Sequence, residues 1–331
     1  MIKLLRGILW TLLALITCVI LLLTAARVAS IWREAQPEVT PPATGRFVNT
    51  PSGRIFVQIK GPEAGTPVIL IHGSAAWSGF WEKTADALAV AGFRAVAVDL
   101  PPFGFSSRPA DSSYLREAQA RRIRDVIRAL ELKNAIVVGH SFGAGAVIEA
   151  AMRHTESLKA MVIICGALGL HAEGETYPPD GALMSFAINN AQISEALTAA
   201  IVTNPLLTRN LLSMMLYNKD AATSEQALIL QYPQTRRGST IAYAEWLPSL
   251  LFPDRDAMSA YSKNYAAITL PTAIIWGEKD SVTPLPQGER LHKLIANSSF
   301  DVIDEVGHIP HIEKPEALLE VLIRRLKALE R

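Results

Sequence analysis

The β-branched run Ala135-Ile136-Val137-Val138 leads without a break into Gly139-His140-Ser141-Phe142-Gly143, and the small residues Ala144-Gly145-Ala146 follow at once. A strand that stops at this pattern and passes straight into a helix leaves few folds open. The serine must sit on a tight turn, its oxygen held out at the top of a sheet. Gly139 and Gly143 have a steric role, because strand and helix close on one another within two residues of Ser141 and a side chain at either position would push the turn open. The pentapeptide alone is common enough to arise by chance, and its surroundings must decide.

Those surroundings alternate. The segments 46–50 and 55–59 flank Pro51-Ser52-Gly53, a hairpin signal. Three fully apolar runs then follow at spacings too wide for hairpins: Val68-Ile69-Leu70-Ile71, Ala95-Val96-Ala97-Val98 and Ile136-Val137-Val138. Amphipathic stretches at 81–91 and 114–132 lie between them. Buried β runs separated by helices predict a parallel sheet covered on both faces. Met161-Val162-Ile163-Ile164, Thr272-Ala273-Ile274-Ile275-Trp276 and Phe300-Asp301-Val302-Ile303 continue the series, and 315–329 closes it as a helix. The interval 168–267 breaks the rhythm with helical stretches at 193–202, 206–216 and 224–232. It reads as a helical cap inserted between two strands, above the strand ends where sites form.

The amino terminus is a different material. No charge appears over residues 8–26, with Lys3 and Arg6 before and Arg27 and Arg33 after. That is about the 20 residues a helix needs to cross a bilayer, and longer than the core of a cleaved leader. We expect an uncleaved signal anchor and single-pass membrane protein, and the slight basic excess before the apolar run favours an extracytoplasmic body. Pro37, Pro41, Pro42 and Gly45 mark a spacer. The expected organisation is an anchor at 1–30, a linker at 31–45, a core at 46–167 and 268–331, and the cap at 168–267. A net charge of +1 gives no argument for nucleic acid. Cys18 and Cys165 lie in separate apolar runs and are expected as buried free thiols, not a disulfide or a metal pair.

A serine becomes a useful nucleophile only when a base takes its proton and a carboxylate orients that base. In hydrolases built on such a turn the chain order is serine, acid, histidine. Asp280 follows Trp276-Gly277 in the loop leaving one strand, and His308 lies in Val306-Gly307-His308-Ile309-Pro310 after the last. Both should emerge at the rim that carries Ser141. His311 is the rival base, and Glu278, Asp304 and Glu305 are rival acids. His154, His171 and His292 are expected on solvated surfaces, His72 as a packing residue, and Asp99 as a turn-fixing one. An oxyanion needs two preorganised donors. The backbone N–H of Phe142, directly after the nucleophile, is one. Ser74 is the other, because Gly73 lets the backbone of Ile71-His72-Gly73-Ser74-Ala75 come close.

These motifs resemble the α/β-hydrolase superfamily, in particular its capped esterase, lipase and C–C hydrolase branch. The likeness rests on His72-Gly73, Asp99-Leu100-Pro101-Pro102-Phe103-Gly104-Phe105-Ser106, Gly139 to Gly143, Gly277 to Asp280 and Gly307-His308-Ile309-Pro310-His311. It spans about 46–331 apart from the insertion. Pro102 departs from it, since relatives often carry glycine there. The resemblance implies an α/β fold with a mostly parallel eight-stranded sheet, a cap after the sixth strand, and no cofactor or metal. Serine in place of aspartate at the elbow argues against epoxide and haloalkane chemistry. The expected activity is that of a carboxylesterase or lipase: a small-molecule ester, with an apolar or lipid-like acyl group, cleaved through an acyl-enzyme. Trp77, Phe80, Trp81, Met184 and Met214 are the expected substrate contacts. Two alternatives stay open: C–C hydrolysis of ring-cleavage diketones, with Arg236 and Arg237 as carboxylate ligands, and a non-enzymatic ligand-binding protein.

Overall fold

The computed structural model describes residues 2–36, 39–170, 181–252 and 254–331; Pro37 and His171 lie outside them. Helix α1 (Ile2–Glu34) comes first, then the hairpin β1 (Gly45–Thr50) and β2 (Gly53–Lys60). The alternating part runs β3 (Pro67–Ile71), α2 (Glu82–Val90), β4 (Arg94–Val98), α3 (Arg116–Ala129), β5 (Ala135–His140), α4 (Phe142–Arg153) and β6 (Leu158–Ile164). Among the described residues the cap α-helices that follow are α5 (Ala182–Asn189), α6 (Ala191–Ala200), α7 (Thr208–Met215), α8 (Ser224–Gln231) and α9 (Ser239–Leu251). The chain then returns as β7 (Thr272–Gly277), α10 (Leu285–Leu294), β8 (Ser298–Ile303), α11 (Pro310–Glu313) and α12 (Pro315–Glu330).

The eight strands form one sheet in the order β1-β2-β4-β3-β5-β6-β7-β8. β2 pairs antiparallel with β1 and β4, and the other neighbours are parallel. Every residue of β5 and β7 is buried, as strands covered on both faces must be. All the parallel strands point one way, so the loops after β3, β5, β7 and β8 share one rim of the sheet. The cap enters after β6, as the sequence indicates.

Three features differ from the sequence expectation. Helix α1 runs to Glu34, four residues past the expected end of the anchor. Its last turns are not free spacer: Arg27 Nε donates to Glu195 on α6 at 3.0 Å, Arg33 donates to the Thr203 carbonyl at 2.7 Å, and the buried Glu34 accepts the Thr240 N–H at 2.9 Å. These bonds to the cap carry the helix on. Before them α1 is exposed and is long and apolar enough to cross a membrane. Cys18 rides on that stretch and is exposed, while Cys165 is buried as expected. Helix α9 escapes a reading of the sequence because Pro248, a residue that normally ends a helix, lies inside it.

Candidate active site

Gly139 and Gly143 differ in what they must avoid. A Cβ on Gly139 would stand 2.8 Å from the Cα of Ala144, within the turn itself. One on Gly143 would strike the His72 carbonyl at the end of β3. The first glycine closes the elbow and the second lets it lie against the neighbouring strand. Ser141, between them, has φ 52° and ψ −122°. That strained backbone for a residue with a side chain costs about 1–3 kcal/mol, and the packed strands on either side hold it.

The loops after β5, β7 and β8 bring three side chains together. Ser141 Oγ lies 2.8 Å from His308 Nε2, and His308 Nδ1 lies 2.9 Å from Asp280 Oδ2. All three are buried. Because an ionised carboxylate only accepts, His308 carries its proton on Nδ1 and its Nε2 accepts from the Ser141 hydroxyl. Asp280 is itself fixed: Oδ1 accepts the N–H groups of Val282 and Thr283 at 2.9 and 2.8 Å, and Oδ2 accepts the Thr283 hydroxyl at 2.8 Å. Burial pushes the Asp280 carboxyl up, but the bond and charge of His308 and the Thr283 donors outweigh it and leave it below its ordinary value. The imidazole can therefore take a proton from Ser141 beside a carboxylate that stabilises the resulting charge.

The other candidate groups do not join this array. Glu278 accepts the Glu305 N–H at 3.0 Å, at the surface. Asp99 accepts the N–H groups of Ser78 and Phe105 at 2.6 and 2.7 Å, a turn-fixing arrangement. His72 Nε2 accepts the Leu100 N–H at 3.0 Å, and burial lowers its ring to about 4. His311 is buried with both ring nitrogens unpartnered among the described residues, and stacks on Trp81 at 4.7 Å.

Phe142 is the first residue of α4, so its N–H has no partner within the helix. Ser74 borders the same cavity, and a Cβ on Gly73 would lie 3.1 Å from the Ser141 Cβ, so this turn approaches the serine as closely as a glycine allows. Cys165, Asp280 and His308 place possible ligand atoms within 4.8 Å of one another. The set does not suit a cation: Asp280 already accepts four hydrogen bonds, and burial pushes the Cys165 thiol up, against the thiolate a metal needs.

Ser141 and His308 open into a cavity of about 360 Å³ between sheet and cap. Of the five expected substrate contacts only Phe80 lines it. Trp77 instead braces core to cap, its indole N–H donating to the Ile229 carbonyl at 2.7 Å and its ring packing on Phe105. Trp81 is fully buried against His311. Met184 and Met214 face out, 52% and 70% exposed. On α7 the cavity takes Leu211, Leu212 and Met215, one helical face, and Met214 falls on the other. Sequence reading missed His140, whose Nε2–H donates to the His308 carbonyl at 2.8 Å, along with Thr283, Gln234 and Trp246. Only the position of His140 within the pentapeptide could have flagged any of them.

The model of the alpha/beta hydrolase fold family matches residues 66–315. The chain belongs to the α/β-hydrolase family. This hydrolase is 29% identical over 256 residues to a 2-hydroxymuconate semialdehyde hydrolase of Pseudomonas sp. (strain CF600), covering 76% of the present chain and 83% of that enzyme. Among solved structures, a meta-cleavage product hydrolase from Pseudomonas fluorescens IP01 superposes with a TM-score of 0.68 at 25% identity, over 86% of this hydrolase and 98% of that chain. A membrane phospholipase A superposes with a TM-score of 0.68 at 22% identity over 100% of both chains, a likeness of fold.

Proposed function

We propose that this α/β hydrolase is a serine acyl hydrolase acting on neutral, apolar esters that partition into membranes. His308 takes the Ser141 proton as the serine oxygen attacks the acyl carbon. The N–H groups of Phe142 and Ser74 receive the developing oxyanion. His308 returns the proton to the leaving alcohol, and a water deprotonated by His308 then releases the acid and frees Ser141.

The observation that carries this reading is the lining of the cavity. Its side chains are aliphatic and aromatic for the most part, and no lysine or arginine is among the described residues that form it. A carboxylate brought into such a space would be desolvated without a partner, at a cost of several kcal/mol. An acyl chain loses nothing by entering, and each buried methylene contributes about 0.8 kcal/mol. Helix α1 supports the membrane part, since its hydrogen bonds to Glu195, Thr203 and Thr240 hold an apolar, exposed helix against the cap over the site. In this reading α1 stays uncleaved in the bilayer and the body is extracytoplasmic, so protease added to intact spheroplasts digests the body. Protection of the body until lysis would refute that orientation.

A second reading, C–C hydrolysis of ring-cleavage products, is the one the named relatives favour. The 2-hydroxymuconate semialdehyde in one of those names is an acid; of the two expected carboxylate ligands, Arg236 is turned to the Gly104 and Ser106 carbonyls and over the Phe105 ring, and Arg237, like Arg236, is not among the described residues that line the cavity. The experiment is a comparison of kcat/KM for aryl esters of increasing acyl length and for a vinylogous diketone acid. The proposal expects rising ester turnover to medium or long chains. Efficient diketone cleavage with poor turnover of every ester would establish the second reading in its place.

A further inference from the structure

The cavity beside Ser141 is mostly apolar, yet one of its polar side chains has an amide oxygen that no described residue meets. Gln234 lines it, is only 3% exposed, and its Oε1 has no hydrogen-bond partner among the described residues. Trp246 lines the same cavity with its indole N–H also unpartnered. Leaving a buried amide oxygen unmet costs about 1–3 kcal/mol, and buried polar groups in folded proteins are nearly always paired.

The position is not a loose one. Gln234 sits in the short turn Tyr232–Thr235 between α8 and α9. The Tyr232 hydroxyl donates to the Thr40 carbonyl at 2.8 Å, and the Ser239 hydroxyl donates to the Pro233 carbonyl at 3.3 Å. Pro233 is itself buried. The turn that carries Gln234 is thus held at Tyr232 and at Pro233, and a buried amide oxygen left unpaired beside an apolar cavity is suited to a ligand that donates.

We propose that Gln234 is a specificity residue that hydrogen-bonds a hydroxyl group of the substrate, on the cap side of the cavity and away from the bond that breaks. A hydroxyl is the neutral group that fits, because it both donates and accepts and so meets a carboxamide in either orientation. A plain hydrocarbon leaves Gln234 unmet. A carboxylate offers the Oε1 no donor and arrives charged. The hydroxyl has two possible sources, the alcohol part of the ester, as in a glyceride, or a hydroxylated acyl chain. This deepens the acyl-hydrolase reading and rests on it for the nature of the substrate.

The test is equilibrium binding to the full-length Ser141→Ala protein, so that it does not depend on turnover. Two matched pairs of ligands are compared: decylglycerol ether with decyl propyl ether, and methyl decanoate hydroxylated at the chain end with methyl decanoate. The expected result is a preference of about fivefold to tenfold for the hydroxylated member of one pair, the worth of one neutral hydrogen bond. The pair that shows it identifies the source. In Gln234→Met, which keeps the length and loses the amide, the preference disappears; Gln234→Leu serves if the methionine variant does not fold. Equal affinities within both pairs, or a preference that survives the substitution, overturns the proposal. Esterase activity is measured separately on the parent enzyme, so a wrong acyl-hydrolase reading and a wrong role for Gln234 give different results.

Discussion

The backbone N–H of His308 donates to the carbonyl of Met215 at 3.0 Å, so the residue that bears the imidazole is tied to one that lines the cavity from the cap. Glu313 reinforces the link. One carboxylate oxygen accepts the Gly307 N–H at 2.9 Å, and the other accepts the N–H groups of Tyr217 and Asn218 at 2.8 and 3.0 Å. The histidine loop and the end of α7 therefore form one hydrogen-bonded unit.

Removing the carboxylate should loosen that unit. Glu313→Ala strands three backbone donors and is expected to cost about 3 kcal/mol of stability, with a fall in kcat because His308 loses its register. Chemical denaturation and steady-state kinetics on the same preparation check both, and an unchanged kcat would show that the link is structural only.

The orientation of His308 depends on Asp280. Asp280→Asn removes the acceptor that fixes the Nδ1 proton and is expected to lower kcat by about 10⁴, with little change in KM. Thr283→Val leaves Asp280 one donor short and should lower kcat by about tenfold. A Thr283→Val enzyme with full activity would mean that the two N–H groups suffice to hold the carboxylate.

The phase of α7 makes a clean prediction for substrate selectivity. Met215→Ala should weaken turnover of long-chain esters, and Phe80→Ala likewise, since each removes wall from the cavity. Met214→Ala and Met184→Ala should leave the chain-length profile within about twofold of the parent, as expected for surface positions. A reversed pattern would place the substrate outside this cavity.

Acid should destabilise the fold through its buried histidines. Burial lowers His72 to about 4 and His140 to about 3, whereas in the unfolded chain each titrates near 6.5. Below about pH 6.5 the unfolded state binds protons that the folded state refuses, so stability falls as pH drops towards 4. Asp280, lowered in the fold, adds stability that is present above the ordinary carboxylate range and lost at still lower pH. Burial holds His311 far below its usual value too. His311→Phe keeps a ring against Trp81 and removes two unpaired nitrogens, so its Tm should fall less than the parent's between pH 7 and 5.

Much of the fold and the site is legible in the chain because it is local. An apolar run of four residues, then a glycine and a polar residue, marks a strand end whatever surrounds it. Ser141 and Asp280 follow that signature, His308 follows Gly307 just beyond a strand that Asp301 interrupts, and parallel strands bring all three ends to one rim. Phase and distant contact are not legible in this way. In the apolar stretch Leu211-Leu212-Ser213-Met214-Met215-Leu216 composition cannot say which face is inward: Met214 is the expected contact, and Met215 is the methionine that lines the cavity. Trp77 and Trp81 follow the Gly73-Ser74 turn closely enough to look like substrate contacts, but Ile229 and His311, far off in sequence, claim them. The bonds from α1 to Glu195, Thr203 and Thr240 cross an equally long interval.

On the proposed reading, Ser141 is the nucleophile of an acyl hydrolase. The direct measurement is labelling of the full-length protein, in native membranes, with a fluorophosphonate probe, together with ester turnover. A nucleophilic Ser141 predicts labelling and turnover in the parent, labelling that lipid esters compete away, and loss of both in Ser141→Ala. Undiminished ester turnover by Ser141→Ala would contradict it.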